Sequence, residues 1–373
     1  MSTEAGASGP HASRNRPTIV YYAHHHGSGH RLHAERFARI CAERGIADVV
    51  VCGTRVDGLN GVRTVTLPAD DRIPAGGSPH VEPADSPFHF TPKTPAVRER
   101  MRTFSQLLSE TGPALVVVDV SVEIATFAAL AGYRVISRRM PGDRSDRAHG
   151  IGYDVSERLF AYYPREVESD SFADAHAGKT TWLGMPEPAR AGGDDAARAG
   201  GFNRALPDAF DERSVVVLVG TGGDGLPLDE LIRAAAATPD REWFACGDVD
   251  ASGSRLPSNL HLLGHVASPE PLLRGAGVIV AGAGHNTVAD IAAAKRPAVI
   301  IPEERPFGEQ RHFADAIARV AGVPVANSWE SVRDWDALLQ QASATQASAL
   351  ADALLVSEEA FGDRLEAMLG GLL

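Results

Sequence analysis

Short, almost unbroken runs of Val, Ile and other apolar residues constrain this sequence most, because they alternate with helix-like segments along most of the chain. Three examples are TIVYYA at 18–23, ALVVVDV at 114–120 and SVVVLVG at 214–220. A strand with one face in water alternates polar and apolar residues, and these runs do not. Both faces are therefore expected to be covered by helices, which predicts the α/β class with parallel sheets.

The alternation occurs twice, which predicts two doubly wound Rossmann-like domains that face each other across a cleft. The first series has predicted strands at 18–23, 47–53, 62–68, 114–120 and 134–139, with helices at 30–44, 96–110 and 122–132. The second has strands at 214–220, 242–247, 260–265, 277–282 and 297–302, with helices at 228–237, 287–295 and from 309.

A Gly-, Ala- and Pro-rich stretch separates the two series and predicts a linker. The predicted organisation is a disordered leader at 1–16, a first domain at 17–185, the linker at 186–212, a second domain at 213–345 and a C-terminal helical segment at 346–373. That last segment could pack against either domain.

Composition and charge exclude several classes of protein. The formal net charge is −12, whereas a protein that binds nucleic acid needs a basic surface. The three cysteines have no paired spacing, which suits a reducing compartment and predicts a cytoplasmic location. No apolar run approaches the ~20 residues that span a bilayer. Peripheral membrane contact and homodimerisation are left open.

Three segments of the second series carry unusual residues directly after predicted strands: VLVGTGGDG, VAGAGHNTVAD and IPEERPFGEQ. In an open parallel sheet, ligands bind beyond the carboxyl ends of the strands, where helix N-termini direct backbone N–H groups at anions. Gly222 and Gly223 would let the backbone approach a diphosphate closely. Amide and carboxylate side chains nearby could bind the vicinal hydroxyls of flanking sugars.

Over about residues 214–325 the sequence resembles glycosyltransferase family 28, the family of the MurG-type N-acetylglucosaminyltransferases. The resemblance is weaker over the first half, where it rests on the glycine-rich loop before His30. It implies the two-domain GT-B fold, a nucleotide-sugar donor, usually a UDP-sugar, and transfer with inversion. It also implies no obligatory metal and no cofactor apart from the nucleotide sugar as co-substrate.

The resemblance further implies roles for individual residues of the second half. Asp290 would bind both ribose hydroxyls, Glu309 and Gln310 would hold hydroxyls of the donor sugar, and backbone groups at Val266 would pair with uracil. The turn under the diphosphate would comprise Gly282, Gly284, His285, Asn286 and Thr287. A purely structural alternative stays open, because Thr287 with Asp290 is close to a capping box and Glu309 favours a helix start.

The stretch HHHGSGHRLHA at 24–34 has three interpretations. A dinucleotide fingerprint lacks its third glycine. A metal site would use His30 and His33 on one helical face together with His26. In the resembled family, the first loop is glycine-rich and ends in a histidine that points into the cleft. Gly27 and Gly29 would then let donor and acceptor approach the backbone.

His30 is on this interpretation the candidate general base, because imidazole exchanges protons near neutral pH. Asp119, at the end of a strand, is a candidate base or a residue that orients His30; capping the next helix is the alternative. His33 is expected to pack beside the cleft. Arg138 and Arg139 could grip an acidic acceptor, or could belong to a solvated charged loop.

The sequence thus predicts an inverting glycosyltransferase that transfers a hexosyl or N-acetylhexosaminyl group from a nucleotide-diphosphate sugar to an unidentified hydroxyl acceptor. One alternative is a nucleotide-sugar epimerase of the same fold. Another is a non-catalytic subunit that binds nucleotide sugar or supports a partner transferase.

Overall fold

The computed structural model describes residues 16–24, 29–71, 82, 85–188, 210–218, 228–247, 249, 251, 253–266 and 268–373. The first half contains a parallel sheet in the spatial order β3-β2-β1-β4-β5-β6-β7. Its strands are β1 (Thr18–Ala23), β2 (Asp48–Gly53), β3 (Arg63–Thr66), β4 (Leu115–Asp119), β5 (Val135–Arg138), β6 (Arg158–Ala161) and β7 (Thr180–Trp182). The associated helices are α1 (Gly29–Glu43), α2 (Pro95–Thr111), α3 (Val122–Leu130), α4 (Arg147–Val155) and α5 (Asp170–His176).

The second half contains a parallel sheet in the order β11-β10-β9-β12-β13. Its strands are β9 (Ser214–Leu218), β10 (Glu242–Cys246), β11 (Leu260–Gly264), β12 (Val278–Ala281) and β13 (Ala298–Ile300). The helices are α6 (Leu228–Ala237), α7 (Glu270–Gly275), α8 (His285–Ala294), α9 (Glu309–Ala321), α10 (Trp335–Ala344) and α11 (Ala349–Leu354). The prediction of two doubly wound parallel sheets is therefore confirmed.

The apolar runs form central strands because helices cover both faces of each sheet. Every residue of β4 and of β12 is buried. The even residues of β1, such as Val20, pack with α2 and α3, while Ile19 and Tyr21 pack with α1. A single apolar run therefore serves two cores.

The C-terminal segment returns to the first half rather than forming one continuous helix. The short strand β14 (Leu355–Val356) follows α11 and pairs in parallel with β8 (Met185–Pro186). The last helix, α12 (Glu358–Gly370), then packs Leu365 and Leu369 into the core of the first sheet. The predicted domain boundaries stay a prediction, because residues 189–209 of the expected linker lie outside the described residues.

Among the described helices, none combines the length and the apolar character needed to cross a membrane.

Candidate functional site

The strand order places one switch point in each sheet. In the first sheet the order reverses between β1 and β4, and in the second between β9 and β12. At such a point the connections leave in opposite directions, so a crevice opens beyond the carboxyl ends of the two strands. His30 follows β1, and Asp119 ends β4 in register with Ala23. Gly282 directly follows β12.

His30 and Asp119 form a pair at the first switch point. His30 Nδ1 lies 3.0 Å from Asp119 Oδ2, an ion-pair distance, although the ring orientation falls short of a linear hydrogen bond. The His30 side chain keeps 14% of its surface exposed, whereas that of Asp119 has none. Since Nδ1 faces the carboxylate, Nε2 is the nitrogen left to exchange a proton with a ligand.

The Asp119 carboxylate is held as an anion. Arg138 Nη1 lies 3.1 Å from its Oδ1, and the Tyr21 hydroxyl donates to Oδ2 over 3.3 Å. Burial alone would raise the pKa of Asp119, but the charges of Arg138 and His30 outweigh burial and hold this pKa below its ordinary value. The carboxylate therefore places a negative charge beside His30 Nδ1.

Asp119 does not cap the following helix, which was the alternative role. Ser121 is the N-cap of α3, and its side chain accepts from the backbone N–H of Ile124. Between them, Val120 has φ 63°, a left-handed conformation that costs a β-branched residue about 1–2 kcal/mol. This bend separates the Asp119 carboxylate, which points to His30, from the start of the helix.

The two halves meet directly beside this pair. His285 Nε2 donates to the carbonyl oxygen of Tyr162 over 2.6 Å, and its ring lies edge-on to His33 at 5.1 Å. His33 is buried, and its ring stacks on that of Tyr162 at 4.5 Å. A Cβ at Gly29 would come within 3.2 Å of the Asn286 side-chain nitrogen, so Gly29 permits this approach.

Helix α8 begins at the predicted diphosphate turn. Gly284 is its N-cap and offers no side-chain hydrogen bond, so neither Thr287 nor Asp290 caps the helix as a capping box would. The free N–H groups of the first turn can therefore bind an anion. Removal from water lowers the pKa of His285 to about 3, which keeps this ring neutral.

Asp290 lies one turn further along α8 and is largely buried. Burial, and secondly the negative charge of Glu270, raise the pKa of Asp290 to about 6, while Arg36 of the first half opposes the shift. A carboxylate in such surroundings gains from hydrogen-bond donors, and ribose hydroxyls are such donors.

Gln310 is buried and its carboxamide is used within the protein. Its Oε1 accepts from the backbone N–H groups of Ala283 and Glu303, each over 2.9 Å, and its Nε2 donates to Glu303 Oε2 over 3.1 Å. A Cβ at Gly282 would approach Gln310 Oε1 to 3.1 Å. In this arrangement Gln310 joins the loops after β12 and β13, and Glu303 presents the carboxylate next to it.

Glu309 pairs across the seam with Arg144, whose Nη2 lies 2.8 Å from Glu309 Oε2. Arg144 is buried, and its guanidinium also lies 5.0 Å from the centroid of the Phe307 ring. The loop after β13 therefore meets the first half through an ion pair and an aromatic contact. The carboxylate expected to hold a donor sugar is occupied by an arginine in this structure.

The two arginines expected on the acceptor side have different surroundings. Arg138 pairs with Asp119 and borders a cavity beyond the ends of β4 and β5. Arg139 is buried in a pair with Glu168 at 2.8 Å and lies over the Phe172 ring at 4.0 Å. The expectation that Arg139 grips an acidic acceptor is thus not supported, because its charge is already neutralised away from the cleft.

One group of described residues has the composition of a metal site. Ligand atoms of His89, Asp146 and His149 lie within 4.8 Å of one another. Their hydrogen bonds satisfy them without an ion: Asp146 lies 2.9 Å from His89 Nε2 and 2.5 Å from His149 Nδ1. Arg144 Nη1 lies 3.1 Å from His149 Nε2, and a guanidinium can only donate, so the His149 proton sits on Nδ1.

Of the other predicted site residues, Gly27, Gly222 and Gly223 lie outside the described residues. Val266 is described. It is partly buried and packs against the core cluster that contains β12, α8 and α9. Sequence reasoning missed Phe307, His89 and Tyr21. A single aromatic residue between Pro306 and Gly308 was the only signal for Phe307, and it gave no indication of a partner in the first half.

No protein-family model and no curated protein sequence matches the chain. Solved structures do resemble it over nearly its whole length. The glycosyltransferase of kitacinnamycin has a TM-score of 0.66 at 17% identity, covering 96% of this chain and 99% of its own. LpCGTa, solved in complex with UDP, has a TM-score of 0.64 at 13% identity, covering 96% and 99%.

MurG of Acinetobacter baumannii has a TM-score of 0.59 at 13% identity, with 94% of this chain and 99% of that chain covered. These similarities show that the chain has the GT-B fold, as predicted. At these identities they establish the fold alone.

Proposed function

We propose that this protein is an inverting glycosyltransferase that transfers a sugar from a nucleotide-diphosphate sugar to a hydroxyl acceptor. The observation that carries the proposal is the His30–Asp119 pair, which lies where the first loop of one half meets the turn before α8 of the other. A base at this seam stands between an acceptor bound to the first half and a donor bound to the second. The GT-B fold of the chain agrees with that division of ligands.

In the proposed reaction, the acceptor oxygen attacks the anomeric carbon while its proton passes to His30 Nε2. The new carbon–oxygen bond forms on one face of the sugar as the bond to the diphosphate breaks on the other, and that electron pair leaves with the diphosphate. Asp119 stabilises the imidazolium that forms. The N–H groups at the start of α8, from His285 and Asn286, would stabilise the charge on the leaving diphosphate.

Donor recognition is proposed to use the second half. Asp290 would accept hydrogen bonds from ribose hydroxyls, and backbone groups near Val266 would bind the base, with uracil as the first candidate. Glu309 would turn from Arg144 to the hydroxyls of the sugar. Gln310 would hold together the loop after β12, which contains Gly282, and the loop after β13, which contains Glu303, rather than touch the sugar itself, because its carboxamide is already used.

The first experiment is donor binding. Thermal unfolding is measured with UDP, GDP, ADP and dTDP, because a ligand that binds the folded state raises the melting temperature. We expect one diphosphate, UDP in the first instance, to stabilise the protein. No stabilisation by any of the four would contradict the proposal.

The second experiment is catalytic. His30→Ala should reduce the turnover of transfer by about 10²- to 10⁴-fold, since a positioned general base contributes that much. Binding of the diphosphate should stay unchanged. The matched control is His261→Ala. His261 lies on β11, the edge strand of the second sheet, and pairs with Glu242 of β10. If His30→Ala kept full turnover, His30 would not be the base.

Two further assays separate the alternative functions. Incubation with nucleotide sugar alone should leave the sugar configuration unchanged, whereas an epimerase would convert it. Transfer by the purified chain should need no second protein, whereas a supporting subunit would be inactive alone. A chelator should leave transfer unchanged, because the proposed leaving-group stabilisation uses backbone N–H groups.

A further inference from the structure

A small cavity in the first half lies next to the proposed base. It opens beyond the carboxyl ends of β4 and β5 and has a volume of about 60 Å³, room for about two water molecules. Val120, Val122 and Met140 supply apolar walls, and Arg138 and Arg144 supply charge. Arg138 also contacts Asp119, so the cavity adjoins the catalytic pair.

The second half closes this cavity with one aromatic side chain. The Phe307 ring lies edge-on to His149 at 4.7 Å, tilted against His89 at 5.1 Å, and 5.0 Å from the Arg144 guanidinium carbon. Two imidazole rings and one guanidinium group therefore contact the Phe307 ring. We call His89, Arg144 and His149 the ring seat. Such contacts attract any aromatic ring through its quadrupole and the cation above it.

Phe307 holds this position against its backbone preference. Its φ of 61° and ψ of 16° are left-handed, a conformation that costs a residue with a Cβ about 1–2 kcal/mol. Its carbonyl oxygen accepts from the N–H of Asp143 over 2.8 Å, yet the side chain remains 36% exposed. The ring is therefore only partly buried, and it is held by a residue with a strained backbone.

Arg138 connects the cavity to the proposed base. It lines the cavity, and its Nη1 lies 3.1 Å from Oδ1 of Asp119, the carboxylate that faces His30. The ring seat therefore belongs to a cavity that borders the pair that would deprotonate a hydroxyl.

Resting on the proposed function, we propose that Phe307 occupies the place of an aromatic ring of the acceptor, which is therefore a phenol-class hydroxyl compound. The acceptor displaces Phe307 from the ring seat and directs its hydroxyl to the catalytic pair. In the free enzyme, Phe307 would fill the ring seat. The acceptor would then bind only those molecules in which the seat is empty, so its apparent affinity would fall in proportion to that fraction.

The test compares binding of 2-naphthol with that of decahydro-2-naphthol, a saturated compound with the same carbon skeleton and hydroxyl. Dissociation constants are measured by titration calorimetry with the full chain, Phe307→Ala and Phe307→Leu. The control is Leu130→Ala, at an exposed leucine of α3. We expect the wild type to prefer 2-naphthol and Phe307→Ala to bind it at least about threefold more tightly, as the internal competitor is removed. Phe307→Leu should lie between them.

Two outcomes would overturn the inference: equal affinity for the two compounds, or 2-naphthol binding that Phe307→Ala leaves unchanged or weakens. Stabilisation by the nucleoside diphosphate is measured on the same variants. If it persists while the aromatic preference is absent, the inference fails and the proposed function stands. If it is absent in the wild type as well, the proposed function fails.

Discussion

At the scale of single residues, Asp290 has an unusual position, because its carboxylate is largely buried and the described contacts place no cation at hydrogen-bond distance from it. Its pKa is raised to about 6 by burial and by Glu270. A carboxyl whose folded pKa exceeds its unfolded value, about 4, stabilises the folded state fully only below that value. Stability is lost as pH rises from about 4 through about 6.

We predict that Asp290→Asn is more stable than the wild type at pH 7, by about 1–3 kcal/mol, because the neutral amide avoids burying a charge. The range allows for the residual exposure of the group. The gain should shrink towards zero as pH falls from 6 towards 4. Urea unfolding at pH 4.5, 6 and 7 measures it.

The control for this prediction is Asp315→Asn, on an exposed position of α9. At an exposed position this substitution should change stability by less than about 0.5 kcal/mol. A gain at Asp290 that is equal at all three pH values would contradict the electrostatic explanation. Loss of diphosphate binding in Asp290→Asn, together with increased stability, would further support a role of this carboxylate in donor binding.

Some residues of the site could be predicted from the sequence and others could not. His30 and Asp119 each follow an apolar run, and parallel strands bring their carboxyl ends to one edge of the sheet, so their proximity follows from the topology. The ring seat could not be predicted in this way, because His89 and His149 come from irregular or short segments that are far apart in sequence. No local sequence pattern specifies how the two halves pack against each other.

At the scale of elements, the loop before α4 and the loop after β13 fit each other closely. Gly142 has φ 110°, and a Cβ there would lie 2.7 Å from the carbonyl oxygen of Phe307. That oxygen accepts from Asp143, the next residue. Glycine at 142 is therefore required twice, for its backbone conformation and for the approach of the opposite loop.

We predict that Gly142→Ala lowers the free energy of unfolding more than Gly132→Ala. Gly132 also has a positive φ, 88°, but a Cβ there meets nothing within 4 Å. Gly132→Ala should cost about 1–2 kcal/mol from backbone strain alone, and Gly142→Ala at least about 1 kcal/mol more. Urea unfolding of both variants measures the difference. If the two variants lost equal free energies of unfolding, the Phe307 loop would move away from a Cβ at position 142 without an energetic cost.

Elements marked by a clear apolar pattern were predictable, and elements without one were not. Strand β1 and helix α6 occupy the predicted residues, because their apolar pattern extends over six to ten positions. Strands β6 and β7 were missed because Arg158–Ala161 and Thr180–Trp182 contain no run of Val and Ile, whereas the equally short strands β5, β12 and β13 do. Helix α4 was missed as well; it begins in a charged segment and contains Gly150 and Gly152.

At the scale of the molecule, the two halves share structure. One core cluster combines Ala161, Tyr163 and Met185 of the first half with residues of β12, α8 and α9. Helix α12, last in the chain, completes the core of the first sheet. The repeated α/β pattern predicted two sheets, but the sequence did not indicate that the C-terminal segment would return, because an amphipathic helix can cover either sheet.

We predict that Leu365→Ala destabilises the protein by about 2–5 kcal/mol, since this side chain of α12 is fully buried. Native-state hydrogen exchange should then accelerate in β1 and β2 before it does in β9. Leu130→Ala, at a side chain that is 83% exposed, should change stability by less than about 0.5 kcal/mol. Faster exchange confined to the second sheet would contradict the packing of α12 on the first.

The pairing of β8 with β14 has a mechanical consequence. Strand β8 is the last strand of the first half, β14 follows the last helix of the second, and the two are hydrogen-bonded neighbours in register. Two chain segments that are held side by side in this way act as one hinge between the halves. Any rotation of the halves that preserves this pairing turns about that line, so the separation between the halves grows with the distance from it.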